Sequence, residues 1–237
     1  MNFKQFKKQA TQFSQLGFRI VSNEYYSFKY GNQPKIFCIG RNKTGTTSLH
    51  KAFLDLGYRV GNQREAELIF DQYVRHKEFE PLVKYCRKAQ VFQDVPFSHL
   101  DTLPHIDKAF PNSKFILSVR SNADEWYDSL VRFHIKLFGV NGNLPDADTL
   151  KKRKYVRAGY IYENIKRHYQ TPDDDLYQKE TLIAHYERHN CGVIDYFKDR
   201  PNDLLIINLS DKEAYAQMTQ FLSIQSPFND FPWENKT

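Results

Sequence analysis

The sequence has few cysteines and no long apolar run. Only three of its 237 residues are cysteine, and Cys38, Cys86 and Cys191 lie far apart without the spacing of a metal site. This odd, sparse set indicates a reducing compartment and small buried thiols. Residues 1–19 contain no apolar run long enough for a signal peptide, and no segment approaches the roughly 20 apolar residues of a membrane span. We therefore expect a cytoplasmic protein without a membrane span.

Charge and aromatic content narrow the class of ligand. Lys and Arg outnumber Asp and Glu by 34 to 28, and the resulting net charge of +6 favours anionic ligands. The excess is mild and evenly spread, so we expect no nucleic acid partner. A hydrophobic fraction of 41% is enough for a core, and the length fits one domain. The aromatic fraction of 15% predicts clefts lined by rings.

Apolar patterning predicts strands that alternate with helices after residue 34. We expect strands at 35–39, 58–61, 89–93, 114–119 and 203–208. Helices are predicted at 46–56, 64–76, 78–87, 98–110, 123–137, 148–169, 174–198 and 212–222. Before them, residues 2–16 read as a basic amphipathic helix and 18–30 as an irregular strand. Such alternation predicts an α/β fold of three layers, α/β/α, around a mostly parallel sheet.

The most informative segment is a glycine loop between the first strand and the first helix. Gly40 and Gly45 allow a tight turn and a close approach of the backbone to a ligand. The amides that would face a bound anion belong to Gly45, Thr46, Thr47 and Ser48. The spacing matches the Gly-x4-Gly of nucleotide triphosphatases, but Thr46 stands where those proteins carry lysine. The lysine here, Lys43, lies inside the loop.

Two other strand ends carry polar residues that belong to the same rim of a parallel sheet. Arg120 follows the strand at 114–119, and its planar fork suits two phosphate oxygens, although a salt-bridged strand end is the alternative. Asp94 follows the strand at 89–93 and could accept a proton, for which partial burial would raise its usual pKa of about 3.9. It could also cap the next helix or orient Lys43.

These segments resemble the sulfotransferases. Lys43-Thr44-Gly45-Thr46-Thr47 is similar to their 5′-phosphosulfate loop, and Phe110 to Arg120 followed by Trp126 to Ser129 is similar to their 3′-phosphate site. The resemblance covers residues 34–237, which we interpret as a sulfotransferase-like domain behind an extension, 1–33, that packs on it. It implies a P-loop-containing nucleotide-hydrolase-like fold with a helical lid from the C-terminal half. It further implies 3′-phosphoadenosine 5′-phosphosulfate as donor, 3′-phosphoadenosine 5′-phosphate as product, and no required metal.

The resemblance also implies roles for individual residues. Lys43 would stabilise the bridging oxygen, and Asp94 would be the base at the place where cytosolic members carry histidine. Arg120 and Ser129 would hold the 3′-phosphate, although Ser129 lies nine residues beyond Arg120, one more than the pattern predicts. The donor site as a whole would comprise Arg41, Lys43, Thr44, Gly45, Thr46, Thr47, Ser48, Arg120 and Ser129.

Some assignments stay open at the level of sequence. Glu65 matches the base of some relatives, and His99 and His105 lie on the helix predicted after Asp94. Ser48 replaces the adenine-stacking tryptophan of cytosolic members, and we interpret Trp126 as a packing residue, so the stacking residue is open. The oligomeric state is open as well.

We interpret the chain as a sulfotransferase that acts on a hydroxyl or amine of a small-molecule or carbohydrate acceptor. The identity of the acceptor is open, since a phenol, a lipid head group and a peptide tyrosine fit the sequence as well. A P-loop nucleotide kinase or triphosphatase is the first alternative, with the strand ending at Asp94 as its metal-binding acid strand and magnesium as a requirement. A non-catalytic nucleotide-binding protein on the same fold is the second.

Overall fold

Four short strands form a parallel sheet at the centre of the fold. The computed structural model describes residues 24–232, and its strands are β1 (Ile36–Cys38), β2 (Val91–Gln93), β3 (Lys114–Ser118) and β4 (Leu204–Ile207). They lie in the order β2-β1-β3-β4, and each neighbouring pair is parallel. Phe37 in β1 lies opposite Phe92 in β2 and Phe115 in β3. The Phe37 ring stacks on both of these rings.

Helices connect the strands and cover both faces of the sheet. They are α1 (Thr46–Asp55), α2 (Gln63–Gln72), α3 (Glu80–Cys86), α4 (Leu103–Ala109), α5 (Ala123–Phe138), α6 (Ala147–Lys152), α7 (Tyr160–His168), α8 (Lys179–Tyr196) and α9 (Ala214–Phe221). Short 3₁₀ turns occupy Val74–His76, Leu100–Thr102 and Pro201–Asp203, and residues 24–30 are also helical.

Alternate residues of each strand enter different apolar clusters. Phe37 and Leu117 pack with side chains of α2, α3, α4 and α8, whereas Cys38 and Ile116 pack with side chains of α1 and α9. This two-residue period places one core on each face of the sheet, as a three-layer α/β/α fold requires. A third cluster joins α5, α6, α7 and α8, and these helices correspond to the helical lid predicted for the C-terminal half.

The structure corrects several predicted elements. The helix predicted at 148–169 is interrupted between α6 and α7, where Gly159 has a left-handed φ of 74° and a bridge joins Lys154 to Ala158. The strand predicted at 58–61 is reduced to one bridge between Val60 and Val91, because the Asn62 side chain caps α2 immediately afterwards.

The N-terminal predictions have a mixed outcome. Residues 24–30 are helical, so the strand predicted over 18–30 is wrong in that part, and the helix predicted at 2–16 lies outside the described residues. Within the described part of the extension, the Tyr26 ring centroid lies 3.3 Å from the Arg59 guanidinium carbon. Within residues 24–232, none of the helices has the length and apolar character needed to cross a bilayer.

Candidate active site

The glycine loop is held by close packing at both of its glycines. A Cβ on Gly40 would lie 2.2 Å from the Ser118 hydroxyl at the end of β3. Gly45 has a φ of 95° and forms the N-cap of α1, and a Cβ there would lie 2.7 Å from a methyl group of Leu209. Both positions therefore require glycine, and the loop is fixed between β1, β3 and the segment after β4.

Thr44, which was predicted to bind the sulfo donor, instead makes contacts within the loop. The Thr44 hydroxyl donates to the Arg41 carbonyl at 2.6 Å and is hydrogen-bonded to the Ser118 hydroxyl at 2.7 Å. Its side chain is buried and does not line the cavity described below, so it serves the shape of the loop. Trp126 does the same from α5, because its fully buried indole donates to the Asn42 carbonyl at 2.9 Å. This agrees with the packing role predicted for it.

A cavity of about 470 Å³ opens beyond the loop at the C-terminal edge of the sheet. The N-terminus of α1 forms part of its wall, and helix N-termini attract anions through their amides and dipole. The predicted site residues that line it are Arg41, Lys43, Gly45, Thr46, Thr47, Ser48, Asp94, Arg120 and Ser129. The structure thus brings together residues from three segments that are remote in sequence.

Lys43 extends from the loop into this cavity. Its ammonium lies 3.9 Å from the ring centroid of Phe133, which is a favourable distance for a cation–π contact. Burial lowers the pKa of Lys43, the positive charge of Arg120 lowers it further, and the carboxylate of Asp94 acts in the opposite direction. The cation is therefore poorly solvated, and a bound anion would stabilise it.

Arg120 and Ser129 border the cavity from the β3 side. Arg120 donates from Nε to the Lys43 carbonyl at 2.7 Å and forms an ion pair with Glu125 at 3.1 Å. Arg120 therefore does form the salt bridge that the alternative interpretation predicted. Its side chain nevertheless lines the cavity. Ser129 is 2% exposed, and its hydroxyl has no hydrogen-bond partner among the described residues. The longer spacing does not separate it from the cavity.

Asp94 borders the same cavity from β2. Its backbone is left-handed, with a φ of 59°, and its carboxylate accepts hydrogen bonds from the Val95 amide at 2.8 Å and the Thr46 hydroxyl at 3.3 Å. Burial raises the pKa of Asp94 above its usual value, and those hydrogen bonds only partly oppose the rise. It does not cap the next helix, because the following 3₁₀ turn begins at Leu100 with His99 as N-cap.

The other candidate bases differ in position. Glu65 pairs with Lys88 at 3.2 Å on the first turn of α2, and His105 stacks on Phe79 at 3.6 Å between ring centroids. Neither lines the cavity. His99 does line it, but burial holds the pKa of His99 well below its usual value, and its ring stacks on Phe70.

Sequence reasoning missed a second carboxylate at this cavity. Glu67 is 7% exposed, accepts a hydrogen bond from the Tyr155 hydroxyl at 3.1 Å and pairs with Arg64 at 2.8 Å. Burial raises the pKa of Glu67, and the nearby carboxylate of Asp94 adds to that effect. The available signal was an acidic residue beside the apolar positions Ala66 and Phe70 of an amphipathic helix.

The family of the chain follows from a comparison with known protein families. Residues 35–237 match a family described as a sulfotransferase domain, which covers most of the chain and coincides with the fold and cavity described above. The chain therefore belongs to this sulfotransferase family. No curated protein matches the sequence significantly. Across the described part of the chain, no group of three or more His, Cys, Asp or Glu residues is arranged to hold a metal ion.

Proposed function

We propose that the protein transfers a sulfo group from 3′-phosphoadenosine 5′-phosphosulfate to a hydroxyl or amine of a small-molecule or carbohydrate acceptor. One observation carries this proposal. The lysine-bearing glycine loop, the Arg120–Ser129 pair and the Asp94 carboxylate border one cavity, with Asp94 on the β2 side and the pair on the β3 side.

The residues present fit the two charged groups of this donor. The first turn of α1, with the hydroxyls of Thr46 and Thr47, suits the 5′-phosphosulfate. The unpartnered hydroxyl of Ser129 and the guanidinium of Arg120 suit the 3′-phosphate, because a buried hydroxyl without a hydrogen bond is costly unless a ligand supplies one. The 3′-phosphate subsite would favour this donor over ATP.

The chemistry assigned to the protein is charge stabilisation and proton transfer. In the transfer, the acceptor atom forms a bond to sulfur as the bond between sulfur and the bridging oxygen breaks. Lys43 would neutralise the charge that develops on that bridging oxygen. Asp94 would take the proton of the acceptor, and its raised pKa makes it a better base than an exposed aspartate.

The nucleotide kinase or triphosphatase alternative has weaker support. Thr46 occupies the position of the phosphate-binding lysine, and its hydroxyl donates to Asp94 at 3.3 Å. That reading requires magnesium, which the sulfo transfer proposed here does not.

The test is thermal stabilisation of the full chain by nucleotides. We expect 3′-phosphoadenosine 5′-phosphate to raise the unfolding temperature in the presence of EDTA, because it binds only the native state. ATP with magnesium should raise it less. Stabilisation by ATP–magnesium alone would overturn the assignment, and binding without turnover on any acceptor would favour a non-catalytic nucleotide-binding protein.

A further inference from the structure

A second cavity of about 350 Å³ adjoins the active-site cavity. Arg41, Ser98, His99 and His168 line both spaces, so these four residues form a wall that the two cavities share. The remaining walls come from α2 and the 3₁₀ turn after it, from the segment 100–102, and from α7 and α8. Its basic lining residues are Arg41, Arg75, Lys77, Arg167, Arg188, His99, His168, His185 and His189.

Arg41 is a buried cation at the wall between the cavities. It is 5% exposed, and its guanidinium donates to the Ser98 carbonyl at 2.9 Å and to the Tyr169 hydroxyl at 3.4 Å. Its Nε is buried without a hydrogen-bond partner, and within residues 24–232 it makes no ion pair. A buried charge without an ionic partner is costly, so this position is suited to an anionic ligand.

The charges around Arg41 do not supply that anion. Asp101 lines the cavity but is paired with Lys77, and Arg75 is paired with Asp71 and Glu163. Asp94 is close enough for the Arg41 charge to lower its pKa, although burial outweighs that effect and no ion pair joins the two.

Two further arginines that line the cavity add positive charge to it. Arg167 and Arg188 have no carboxylate partner among the residues described. The pKa values of His168 and His189 are lowered to about 2 and 3 by burial, with the charge of Arg41 as the next cause. His99 Nε2 is a further buried polar atom, and it has no hydrogen-bond partner among residues 24–232. His189 already donates its N–H to the Ile39 carbonyl at 2.9 Å, so the donors for an oxyanion here are the guanidinium groups.

The position of the cavity indicates which molecule would carry the oxyanion. Ser98 and His99 follow Asp94 directly after β2, whereas the proposed 3′-phosphate residues Arg120 and Ser129 stand on the far side of β1. The second cavity thus lies on the side of the proposed base, and of the residues predicted for the donor site only Arg41 lines it.

We propose that the acceptor is an acidic molecule, and that the second cavity binds an oxyanion that it carries, a carboxylate or a sulfate ester. This inference rests on the proposed function for the identity of the acceptor. The binding of the oxyanion itself rests only on the guanidinium groups of Arg41 and Arg188. The acceptor would then span both cavities, with its hydroxyl at Asp94 and its acidic group at Arg41.

The experiment is calorimetric titration of the full chain, saturated with 3′-phosphoadenosine 5′-phosphate, with sodium sulfate and with the matched pair sodium glucuronate and glucose. We expect sulfate or glucuronate to bind and glucose not to bind, and the anion that binds identifies the acidic group. Arg41→Gln should weaken binding by about tenfold or more, because a charge-assisted donor is lost. Arg188→Gln, at an exposed position that should not affect folding, should weaken it by about threefold.

Two control variants make the outcome decisive. Arg153→Gln removes the same charge at an exposed position outside both cavities and should leave binding unchanged. Lys43→Ala tests whether the anion occupies the proposed sulfo position instead. Binding that is lost in Lys43→Ala but kept in Arg41→Gln and Arg188→Gln would overturn the proposal, as would the absence of binding by both anions.

The nucleotide titration separates this proposal from the proposed function. If 3′-phosphoadenosine 5′-phosphate fails to bind, the proposed donor is wrong, and the same titrations of the nucleotide-free chain still test the second cavity. If the nucleotide binds and its affinity falls in Arg188→Gln, the cavity belongs to the donor and the inference is wrong.

Discussion

Arg120 donates a hydrogen bond from Nε to the backbone carbonyl of Lys43 at 2.7 Å. The residue proposed for the 3′-phosphate is therefore joined directly to the loop proposed for the 5′-phosphosulfate. One guanidinium fixes the loop and also lines the cavity, so the two parts of the proposed donor site are coupled. A substitution at Arg120 has to be tested for both effects.

Arg120→Lys separates the two effects. Lysine keeps the charge but cannot offer the planar fork of arginine, so affinity for 3′-phosphoadenosine 5′-phosphate should fall about tenfold or more. Affinity for 5′-AMP, which lacks the 3′-phosphate, should fall much less. Calorimetric titration of both nucleotides gives the comparison, and equal losses would mean that Arg120 only holds the loop.

Ser129→Ala tests the unpartnered hydroxyl on α5. Because the hydroxyl makes no hydrogen bond within the described structure, its removal should leave the free energy of unfolding unchanged or slightly higher. Affinity for 3′-phosphoadenosine 5′-phosphate should fall about fivefold to tenfold, corresponding to one lost hydrogen bond to a charged group. Chemical unfolding and calorimetry measure the two quantities, and a loss of stability without a loss of affinity would contradict the role.

Lys43→Ala tests the leaving-group role. The ammonium is desolvated and stacked on Phe133, and its proposed task belongs to the transition state. We expect the turnover number to fall about a hundredfold or more, with a smaller change in nucleotide affinity. Lys212→Ala, at an exposed lysine outside the cavity, is the matched control. Equal losses of turnover and affinity in Lys43→Ala would remove the leaving-group role.

The sequence was sufficient to predict the class of fold and the segments that meet at the cavity. Strand ends and glycine positions are local signals, and parallel strands bring their C-terminal ends to one rim, so Lys43, Asp94 and Arg120 could be predicted as neighbours. The break between α6 and α7 was not predicted, because residues 153–159 keep a helix-like composition while Gly159 adopts a left-handed φ.

Tertiary contacts decide the features that the sequence did not predict. Thr44 matches the family motif, yet its hydroxyl is used inside the fold by Arg41 and Ser118. Glu67 belongs to no motif and faces the cavity because α2 packs its apolar stripe on the sheet. Such roles depend on which neighbour each side chain meets, and residue spacing does not specify that.

Asp94→Asn tests the proposed base. Asparagine has a similar shape, and its one side-chain oxygen can keep either the hydrogen bond from Thr46 or the one from Val95, but it cannot take a proton, so turnover should fall about a hundredfold to ten-thousandfold. In the unchanged protein, activity should rise with pH through a pKa above the usual aspartate value, because only the ionised carboxylate is a base. If Asp94→Asn stays active and its activity falls at low pH as in the unchanged protein, Asp94 is not the base. Glu67 then becomes the next carboxylate to test.

Buried histidines predict a loss of stability in mild acid. The His134 ring on α5 is hydrogen-bonded to the Tyr177 hydroxyl at 2.8 Å, and burial lowers the pKa of His134 from 6.5 to about 4. Between these values the unfolded chain binds the proton and the native protein does not, so stability falls as the pH falls from 6.5 towards 4. Each such histidine contributes a slope of about 1.4 kcal/mol per pH unit in that window.

His134→Gln should therefore reduce the slope of unfolding free energy against pH by about 1 kcal/mol per unit between pH 6 and pH 5. Glutamine has polar atoms that can replace the contact with Tyr177, so the variant should fold. His76→Gln, at an exposed histidine, should leave the slope unchanged. Urea unfolding at several pH values measures the slopes. If His134→Gln keeps the slope of the parent, as His76→Gln should, His134 binds its proton in the native protein as it does in the unfolded chain. Burial would then not exclude the charge.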